Sequence, residues 1–117
     1  MEGRMATFPQ ISEVYYIQLP QEENPRPAVI VSVDSRNRGA NDVIAVPFSR
    51  SARGIATHVT VDAGRGGLRH VSTAKCEQIT SVPKDWIVSG PLGGTIDSAT
   101  MHAIERGIQR AVGIHVE

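Results

Sequence analysis

Short apolar runs alternate with polar, proline-bounded links along most of the chain. Runs of this length that are rich in β-branched residues predict β-strands, and they lie at residues 14–19, 26–34, 43–48, 57–62 and 71–79. The run at 26–34 is almost continuously apolar after Arg26 and Pro27, a pattern typical of a strand that is buried on both faces. We therefore predict that this run is the central strand of a sheet.

The links between the runs predict short connections. Residues 21–25 are polar and end in proline, so they predict a hairpin return, and residues 34–41 predict a turn. Pro47 has no backbone N–H and therefore predicts an edge or a bulge at the end of its strand. The glycine-rich residues 63–68 lack the lysine and the spacing of a phosphate-binding loop, and we interpret them as a plain connector.

Alternation along the last two runs assigns side chains to faces of the sheet. In residues 57–62 the valines are predicted to face the core and His58 to face away from it. In residues 71–79, Lys75 and Glu77 are predicted to share one face of a single strand, about 6 to 7 Å apart. That spacing would let an acid and a base act on opposite sides of one phosphodiester. The alternative is an exposed pair of opposite charges without a catalytic role.

The C-terminal region predicts a helix. Asp97 is a suitable N-cap, Ile96 and Met101 form a hydrophobic staple around it, and Gly113 ends the helix. The apolar stripe of this helix consists of Met101, Ile104, Ile108 and Ala111. Gly107 costs about 1 kcal/mol relative to alanine inside a helix, which indicates close packing at this position against the sheet or against another chain.

Together these elements predict a mainly β fold with one terminal helix. The five or six short strands are expected to be antiparallel, because their connections are too short for crossovers, and a strongly bent sheet of this size closes into a small barrel. A chain of 117 residues with 40% hydrophobic residues fits one domain. We place that domain at residues 13–117, after a flexible N-terminal extension at residues 1–12.

Composition argues against a membrane protein, a secreted protein and a disulfide-bonded protein. No apolar run is long enough to span a bilayer, and the N-terminus lacks the apolar stretch of a signal peptide, so we expect a cytoplasmic protein without a membrane partner. A single cysteine, Cys76, leaves no internal disulfide. The net charge is zero, but residues 34–75 contain seven basic residues against three acidic ones. Those basic residues either ring one end of the barrel, as a nucleic-acid partner would require, or are solvated loop residues.

Arg26 is the leading candidate for chemistry. Pro27 restricts the backbone beside it, and its planar guanidinium presents five donors, a shape suited to two phosphate oxygens at once. The alternative is an ion pair with Glu22 or Glu23. The four histidines are dispersed, without the spacing of metal ligands, and no serine lies in a nucleophile-elbow pattern. We therefore expect no metal site, no cofactor and no serine-hydrolase triad.

The order of the segments resembles that of the MazF/PemK (Kid) family of toxin ribonucleases. The resemblance extends over roughly residues 13–113, and the segments that carry it are residues 14–20, 26–32, 46–49, 57–59 and 76–79 and the closing helix. It implies an SH3-like or CcdB-like antiparallel β-barrel and a homodimer that binds single-stranded RNA across its interface. It also implies metal-independent cleavage at short sequences, and a cognate antitoxin whose flexible tail occupies the same groove.

The resemblance also implies roles for individual residues. Arg26 and Ser49 match positions where family members have a catalytic arginine and a threonine that assists it. Lys75 and Glu77 match an arginine and an aspartate that serve as acid and base in the Kid branch. RNA-binding residues are expected in the loops, and the candidates are Asn24, Arg50 and Gln78.

Departures from the family pattern affect some of these roles. Serine at position 49 keeps the hydroxyl of threonine, whereas lysine at position 75 loses the bidentate fork of arginine. Thr80 stands where the family often has a basic residue, which affects RNA affinity or sequence preference. A serine and a glutamate at positions 12 and 13 replace the usual Gly-Asp opening, and no chemistry depends on that change.

The implied mechanism uses the RNA's own 2′-hydroxyl, which attacks the neighbouring phosphorus in line. Arg26 would stabilise the phosphorane and relay a proton to the leaving 5′-oxygen, Ser49 would hydrogen-bond the phosphate, and Glu77 or a water would take the 2′-proton. Two alternatives remain open. One is a gyrase-directed toxin on the same barrel that depends on residues 112–117, and the other is a non-catalytic interaction module.

Overall fold

The structure is a computed structural model and describes residues 8–51 and 53–116 of the 117-residue chain. Within these residues the chain forms seven strands, two α-helices and three short 3₁₀ turns. The strands are β1 Val14–Ile17, β2 Arg26–Ile30, β3 Asp42–Ser49, β4 His58–Val61, β5 Ser72–Lys75, β6 Thr80–Pro83 and β7 Ile87–Ser89, and the helices are α1 Asp34–Gly39 and α2 Ser98–Ala111. Residues 1–7 of the predicted extension lie outside the described part of the chain.

The strands form one antiparallel sheet in the order β4-β5-β3-β2-β1-β7, and β6 also pairs with β3. The sheet is bent and roughly barrel-like, but it does not close, because β4 and β7 remain at its two ends. The predicted mainly β fold with a C-terminal helix is confirmed. The described part of the chain contains seven strands rather than five or six, because the run at residues 71–79 breaks and β6 and β7 follow it.

The predicted central position of β2 is confirmed. β2 lies between β1 and β3, and its alternate side chains enter two different cores. Val29 belongs to a cluster that faces α2, with Phe48 and Ile104, whereas Ala28 and Ile30 belong to a second cluster on the other face of the sheet. Because both faces are covered, the strand is apolar at consecutive positions rather than at alternate ones.

β3 is the longest strand and bonds to three others. Residues 42–45 pair with β6 and residues 48–49 pair with β5, while the other side of β3 pairs with β2. Pro47 is buried and lies opposite Ala28 inside the sheet, so the edge that was one of the two predicted possibilities is wrong, and β2 and β3 pair there without the bulge that was the other. Proline is accommodated there because Pro47 lies between the part of β3 that pairs with β6 and the part that pairs with β5, where the ladder on that side changes partner.

The turn predicted at residues 34–41 is instead a short helix, α1. Asn37 is fully buried; its Nδ2 donates to the Ser32 carbonyl oxygen at 2.8 Å, and the Ser32 hydroxyl donates to its Oδ1 at 2.5 Å. Lys84 Nζ also donates to the Asn37 carbonyl oxygen at 2.6 Å. Lys84 is 47 positions away from Asn37, and the burial of Asn37 depends on the whole fold, so local turn propensity did not reveal the helix.

The single strand predicted at residues 71–79 is wrong. β5 ends at Lys75, a 3₁₀ turn at Cys76–Gln78 follows, and β6 begins at Thr80. The turn redirects the chain from pairing with β4 to pairing with β3. Lys75 and Glu77 therefore do not share one face of a strand. A second 3₁₀ turn, Lys84–Trp86, follows β6 and leads into β7.

The predicted signals for α2 are confirmed. The Asp97 side chain accepts a hydrogen bond from the Thr100 backbone N–H at 3.1 Å, and the two residues of the staple are both buried. Gly113 has φ 85°, and its N–H and that of Ile114 bond back to carbonyl oxygens of the last turn, which is a Schellman motif. Of the predicted apolar stripe, Met101 and Ile104 are buried, whereas Ala111 is exposed.

Gly107 allows α2 to approach the 3₁₀ turn closely. A Cβ atom added at this position would lie 2.6 Å from Cys76 Sγ, and Cys76 is fully buried. The close packing predicted at Gly107 is therefore confirmed, with the 3₁₀ turn at the end of β5 as its partner. This contact fixes the position of the residues on either side of Cys76 relative to the helix.

Replacing Asn37 by alanine should destabilise the fold. The change removes two side-chain hydrogen bonds to Ser32 and leaves buried polar groups without partners, which costs about 3 kcal/mol in free energy of unfolding. Asn41→Ala is the matched control, because Asn41 is exposed, and we expect a change within about 0.5 kcal/mol. Urea unfolding of both variants measures the difference, and equal effects would contradict the structural role of Asn37.

Candidate active site

A groove of about 750 Å³ lies where β2 begins and β3 ends. One side is the link between β1 and β2, the floor is the end of β3, and the other side is the segment before β5. The residues that line it are Tyr16, residues 21–27, residues 48–50, residues 68–70 and Ser72. Four of the seven residues predicted to carry function therefore meet here: Asn24, Arg26, Ser49 and Arg50.

The register of β2 and β3 places Arg26 beside Ser49. Ala28 lies opposite Pro47, and Ile30 lies opposite Ala45. Continuing this register by two residues beyond the last pair sets Arg26 opposite Ser49, on neighbouring strands and on the same face of the sheet. The guanidinium and the hydroxyl are thus brought to one surface by strand pairing, although they are 23 positions apart in the sequence.

Arg26 forms the ion pair with Glu22 that the sequence left as an alternative. Its Nε donates to Glu22 Oε1 at 2.8 Å and its Nη2 donates to Oε2 at 2.6 Å. The two side chains are 27% and 30% exposed, so the pair faces the groove and is partly solvated. The guanidinium therefore holds two oxygens of one planar anion in the bidentate geometry that it would also offer to a phosphate.

The Glu22 backbone is itself held in place. Its N–H donates to the Leu19 carbonyl oxygen at 3.1 Å, and its carbonyl oxygen accepts from Gln18 Nε2 at 2.7 Å. Arg26 is equally fixed, because it pairs with Ile17 at the start of β2. Both partners of the ion pair are thus positioned by the backbone.

Ser49 connects the groove to Lys75. Its Oγ lies 3.0 Å from Ser51 Oγ, and Lys75 Nζ donates to Ser51 Oγ at 3.5 Å. Ser49 itself pairs with Thr73 of β5. Lys75 is not among the residues that line the groove, and its hydrogen-bonded connection to the site runs through the two hydroxyls.

Glu77 and His58 form a separate polar cluster beside α2. Glu77 Oε2 lies 3.1 Å from His58 Nε2, and Glu77 Oε1 accepts from Thr57 Oγ1 at 2.9 Å. Val59 and Val61 pack in the core cluster as predicted, and the His58 side chain, although it alternates with them, is only 4% exposed. His58 Nδ1 is buried without a hydrogen-bond partner among the described residues.

The environment of this cluster shifts two pKa values. Burial raises the pKa of the Glu77 carboxyl, but hydrogen bonds from its own backbone N–H, from His58 and from Thr57 outweigh that effect, and the pKa lies below its usual value of 4.5. Burial, reinforced by the Glu77 charge, raises the pKa of the Cys76 thiol to about 11. Glu77 is therefore ionised at neutral pH, and Cys76 is a protonated core residue with little nucleophilic character.

Sequence reasoning missed the far side of the groove. Arg69 and His70 are exposed there, and Ser72 Oγ donates to the His70 carbonyl oxygen at 2.9 Å. The excess of basic residues between positions 34 and 75 indicated a cationic region, but it did not identify the residues that line the groove. Of those residues, Arg50 and Arg69 line the groove, whereas Arg36 and Arg65 pair with Asp42 and Asp97 elsewhere.

Gln78 does not line the groove either; it is exposed in the 3₁₀ turn after β5.

Among the described residues, no three His, Cys, Asp or Glu side chains lie close enough together to hold a metal ion. In the same part of the chain, neither helix combines the length and apolar character needed to cross a membrane.

Residues 11–112 match the family described as PemK-like, MazF-like toxin of type II toxin-antitoxin systems. The chain belongs to this family. The resemblance drawn from the order of its segments is thereby confirmed. No curated protein sequence gives a significant match to this member of the PemK/MazF family.

Solved structures share the fold of this PemK/MazF-family chain. A mycobacterial endoribonuclease in complex with its cognate antitoxin is 28% identical, with a TM-score of 0.80 over 93% of this chain and 99% of that one. A second mycobacterial endoribonuclease is 27% identical, with a TM-score of 0.77 over 93% and 95%. MazF from Deinococcus radiodurans is 17% identical and has a TM-score of 0.76 over 93% and 100%.

The lowered pKa of Glu77 predicts a pH-dependent contribution to stability. Because the pKa is lower in the folded state, the ionised carboxylate stabilises the fold above its usual pKa of 4.5, and that stabilisation is lost as the pH falls further. We expect Glu77→Gln to lower the free energy of unfolding by less than about 1 kcal/mol near neutral pH, and to have a smaller effect at about pH 3.5.

Urea unfolding at both pH values measures this difference. Glu105→Gln is the matched control, because Glu105 is exposed on α2 and makes no ion pair with a described residue. If the two variants differ from the parent protein by the same amount at both pH values, the bonds from His58 and Thr57 do not stabilise the Glu77 carboxylate.

Proposed function

We propose that the chain is the toxin of a type II toxin-antitoxin system and acts in the cytoplasm as an endoribonuclease that cuts single-stranded RNA at short sequences. The mycobacterial endoribonucleases that share its fold support this activity. The observation that carries the proposal for this chain is the meeting of Arg26 and Ser49 in one open groove. A cationic fork beside a hydroxyl is the arrangement that a scissile phosphate requires.

The proposed reaction needs no metal ion. The RNA 2′-oxygen attacks the adjacent phosphorus, the bond from phosphorus to the 5′-oxygen breaks, and the products carry a 2′,3′-cyclic phosphate and a 5′-hydroxyl. Arg26 donates two N–H groups to the non-bridging oxygens, on which negative charge increases in the phosphorane. Ser49 donates one further hydrogen bond to the same oxygens and helps to fix the in-line geometry.

Binding of the phosphate requires Arg26 to exchange partners. The Glu22 carboxylate occupies both donors of the fork, so it must rotate into solvent when a phosphodiester docks. The exchange is inexpensive because the pair is partly exposed, and exposed pairs contribute at most about 1 kcal/mol. Glu22 thereby lowers the affinity of the groove for RNA by an amount that one substitution can measure.

The other five predicted site residues differ in whether they line the groove, and their proposed roles differ accordingly. Asn24 and Arg50 line the groove and are proposed to contact bases and phosphates next to the scissile bond. Gln78 lies outside the groove and would contact RNA further along. Lys75 supports the negative charge through Ser51. Glu77 is bonded to His58 and Thr57 and does not line the groove, so we propose that water, rather than Glu77, takes the 2′-proton.

We further propose that the toxin acts as a homodimer and is inhibited by an antitoxin. Structures of similar proteins solved together with an antitoxin support the second partner, namely a mycobacterial endoribonuclease complex and a MazE-MazF complex from Deinococcus radiodurans. The family to which the chain belongs supports the toxin role, and the homodimer is an expectation from the resemblance to that family.

Replacing Arg26 by glutamine should abolish cleavage. The change removes the charge and the bidentate fork, and loss of such a stabilising group lowers kcat by about 100-fold to 1,000-fold. The assay uses purified protein, mixed-sequence RNA and EDTA, and identifies the ends of the fragments. Arg110→Gln is the matched control, because Arg110 is exposed near the end of α2 and does not line the groove.

The parent protein and Arg110→Gln should give fragments with 2′,3′-cyclic phosphate and 5′-hydroxyl ends in EDTA. Cleavage by Arg26→Gln at the parent rate would remove Arg26 from the mechanism. Intact RNA with all three proteins, together with inhibition of gyrase supercoiling, would favour the gyrase-directed toxin. Intact RNA without that inhibition would favour a non-catalytic module.

Replacing Glu22 by glutamine should tighten RNA binding. The change frees the Arg26 fork, and we expect an affinity about threefold higher for an RNA analogue with a 2′-deoxy nucleotide at the cleavage position. Glu23→Gln removes the same charge one residue further along without breaking a bond to Arg26, so it isolates the effect of the ion pair. Fluorescence anisotropy measures both variants, and equal affinities would show that Glu22 does not compete with RNA.

A further inference from the structure

The proposed reaction leaves one proton without a source. When the bond from phosphorus to the 5′-oxygen breaks, that oxygen carries a negative charge and must acquire a proton, and a positioned acid speeds this step by about 100-fold to 10,000-fold. The mechanism implied by the sequence has Arg26 relay this proton, but a guanidinium gives up its proton reluctantly and is a poor donor. A side chain in the groove that releases a proton more readily is better suited to this step.

The sheet order places His70 on the opposite side of Ser49 from Arg26. β3 lies between β2, which begins with Arg26, and β5, which begins with Ser72. Neighbouring strands are about 4.8 Å apart, so the segment before β5 lies about 10 Å from the β2 backbone, across the end of β3. Side chains that extend from the two flanks can thus reach one phosphate above Ser49.

The position of His70 is fixed by its backbone and its imidazole is free. The Ser72 hydroxyl donates to the His70 carbonyl oxygen at 2.9 Å, which holds the residue at the rim of the groove. His70 is exposed, and its ring makes no hydrogen bond to the residues that the structure describes. It is also the one imidazole among the described residues that line the groove.

The other titratable groups that face the groove are less suited to this step. They are Tyr16 from β1, Glu22 and Glu23 from the link, Arg26 from β2, Arg50 from the end of β3 and Arg69 beside His70. Carboxylates that already accept hydrogen bonds act more readily as bases, guanidinium groups do not release a proton, and an imidazole is the side chain that most often serves as a general acid in enzymes. Lys75 and Glu77 lie outside the groove.

We propose that His70 is the general acid of this site and donates its ring proton to the 5′-oxygen as it leaves. This inference rests on the proposed ribonuclease function. The 2′-oxygen forms a bond to phosphorus and gives its proton to water, the bond to the 5′-oxygen breaks, and that oxygen takes the proton of the imidazolium. The neutral imidazole then recovers a proton from solvent, and no oxidant or metal takes part.

The first test compares His70→Gln with His102→Gln. His102 is exposed on α2 and lies outside the groove, so the two changes are chemically identical and differ in location. With protein in excess over RNA, we expect His70→Gln to cut about 100-fold more slowly, with affinity for the 2′-deoxy analogue changed less than threefold. Full cleavage by His70→Gln, or a loss confined to affinity, would overturn the proposal.

The second test is the pH profile of the single-turnover rate. With an imidazolium as the acid, the logarithm of the parent rate should bend downward on the alkaline side, where the ring loses its proton. His70→Gln should lack this bend, and His102→Gln should keep it. A bend that persists in His70→Gln and disappears in Tyr16→Phe would assign the acid to Tyr16 and overturn the proposal.

The third test removes the need for the acid. A substrate in which sulfur replaces the leaving 5′-oxygen expels a thiolate, which is stable without a proton because thiols have an ordinary pKa of about 8.5. We expect His70→Gln to cut this substrate within about threefold of the parent rate, while Arg26→Gln stays slow on both substrates. A defect of His70→Gln that is equally large on both substrates would contradict the role as acid.

These outcomes separate the inference from the function on which it rests. A parent protein that leaves RNA intact in EDTA refutes the ribonuclease itself, before His70 is considered. A parent protein that cuts RNA while His70→Gln keeps its rate and its pH profile refutes only the assignment of the acid. A circular dichroism spectrum of His70→Gln that matches the parent excludes loss of fold as the cause of a slow rate.

Discussion

The pairing of β2 with β3 is the interaction on which the candidate site depends. Its register carries an arginine at the start of one strand to the hydroxyl at the end of the other, with Ala28 and Pro47 as the nearest paired residues. The ladder is rigid because both of its faces are covered by apolar clusters. A shift of the register by one residue would turn Arg26 and Ser49 to opposite faces and expose the core side chains of β2, so the core and the site specify the same alignment.

β3 extends this constraint to the rest of the sheet. Because it pairs with β6 along its first half and with β5 at its end, the start of β5 arrives beside Ser49, and the segment before it becomes the far side of the groove. The 3₁₀ turn at Cys76–Gln78 makes this change of partner possible. Gly107 of α2 fixes that turn through its contact with Cys76, and the helix that closes the core thereby positions the polar cluster of His58 and Glu77.

The electrostatics of the groove follow from which basic residues have partners. Arg36 and Arg65 are neutralised by Asp42 and Asp97, and Arg26 is held by Glu22. Arg50 and Arg69 line the groove and form no ion pair with a described residue, so they are available to a polyanion. A chain with zero net charge can therefore present a local cationic site, because its acidic residues are used to position some of the basic ones.

The sequence by itself determined the elements whose signals are local. The β-branched runs predicted most of the strands, Asp97 and Gly113 predicted both ends of α2, and the apolar run after Arg26 predicted a strand buried on both faces. These signals succeed because capping, φ restriction and side-chain alternation involve residues within a few positions of one another. The order of the segments also indicated the family, and with it the candidate roles of Arg26 and Ser49.

Tertiary structure alone decided where distant residues meet. It ended β5 at Lys75 and so separated Lys75 from Glu77, formed α1 around the buried bond between Asn37 and Ser32, and placed Pro47 inside the sheet. It also brought His70 to the groove, although nothing adjacent in the sequence distinguishes this histidine from the other three. These outcomes depend on strand register and on contacts between residues far apart in the chain, which periodicity and propensity do not encode.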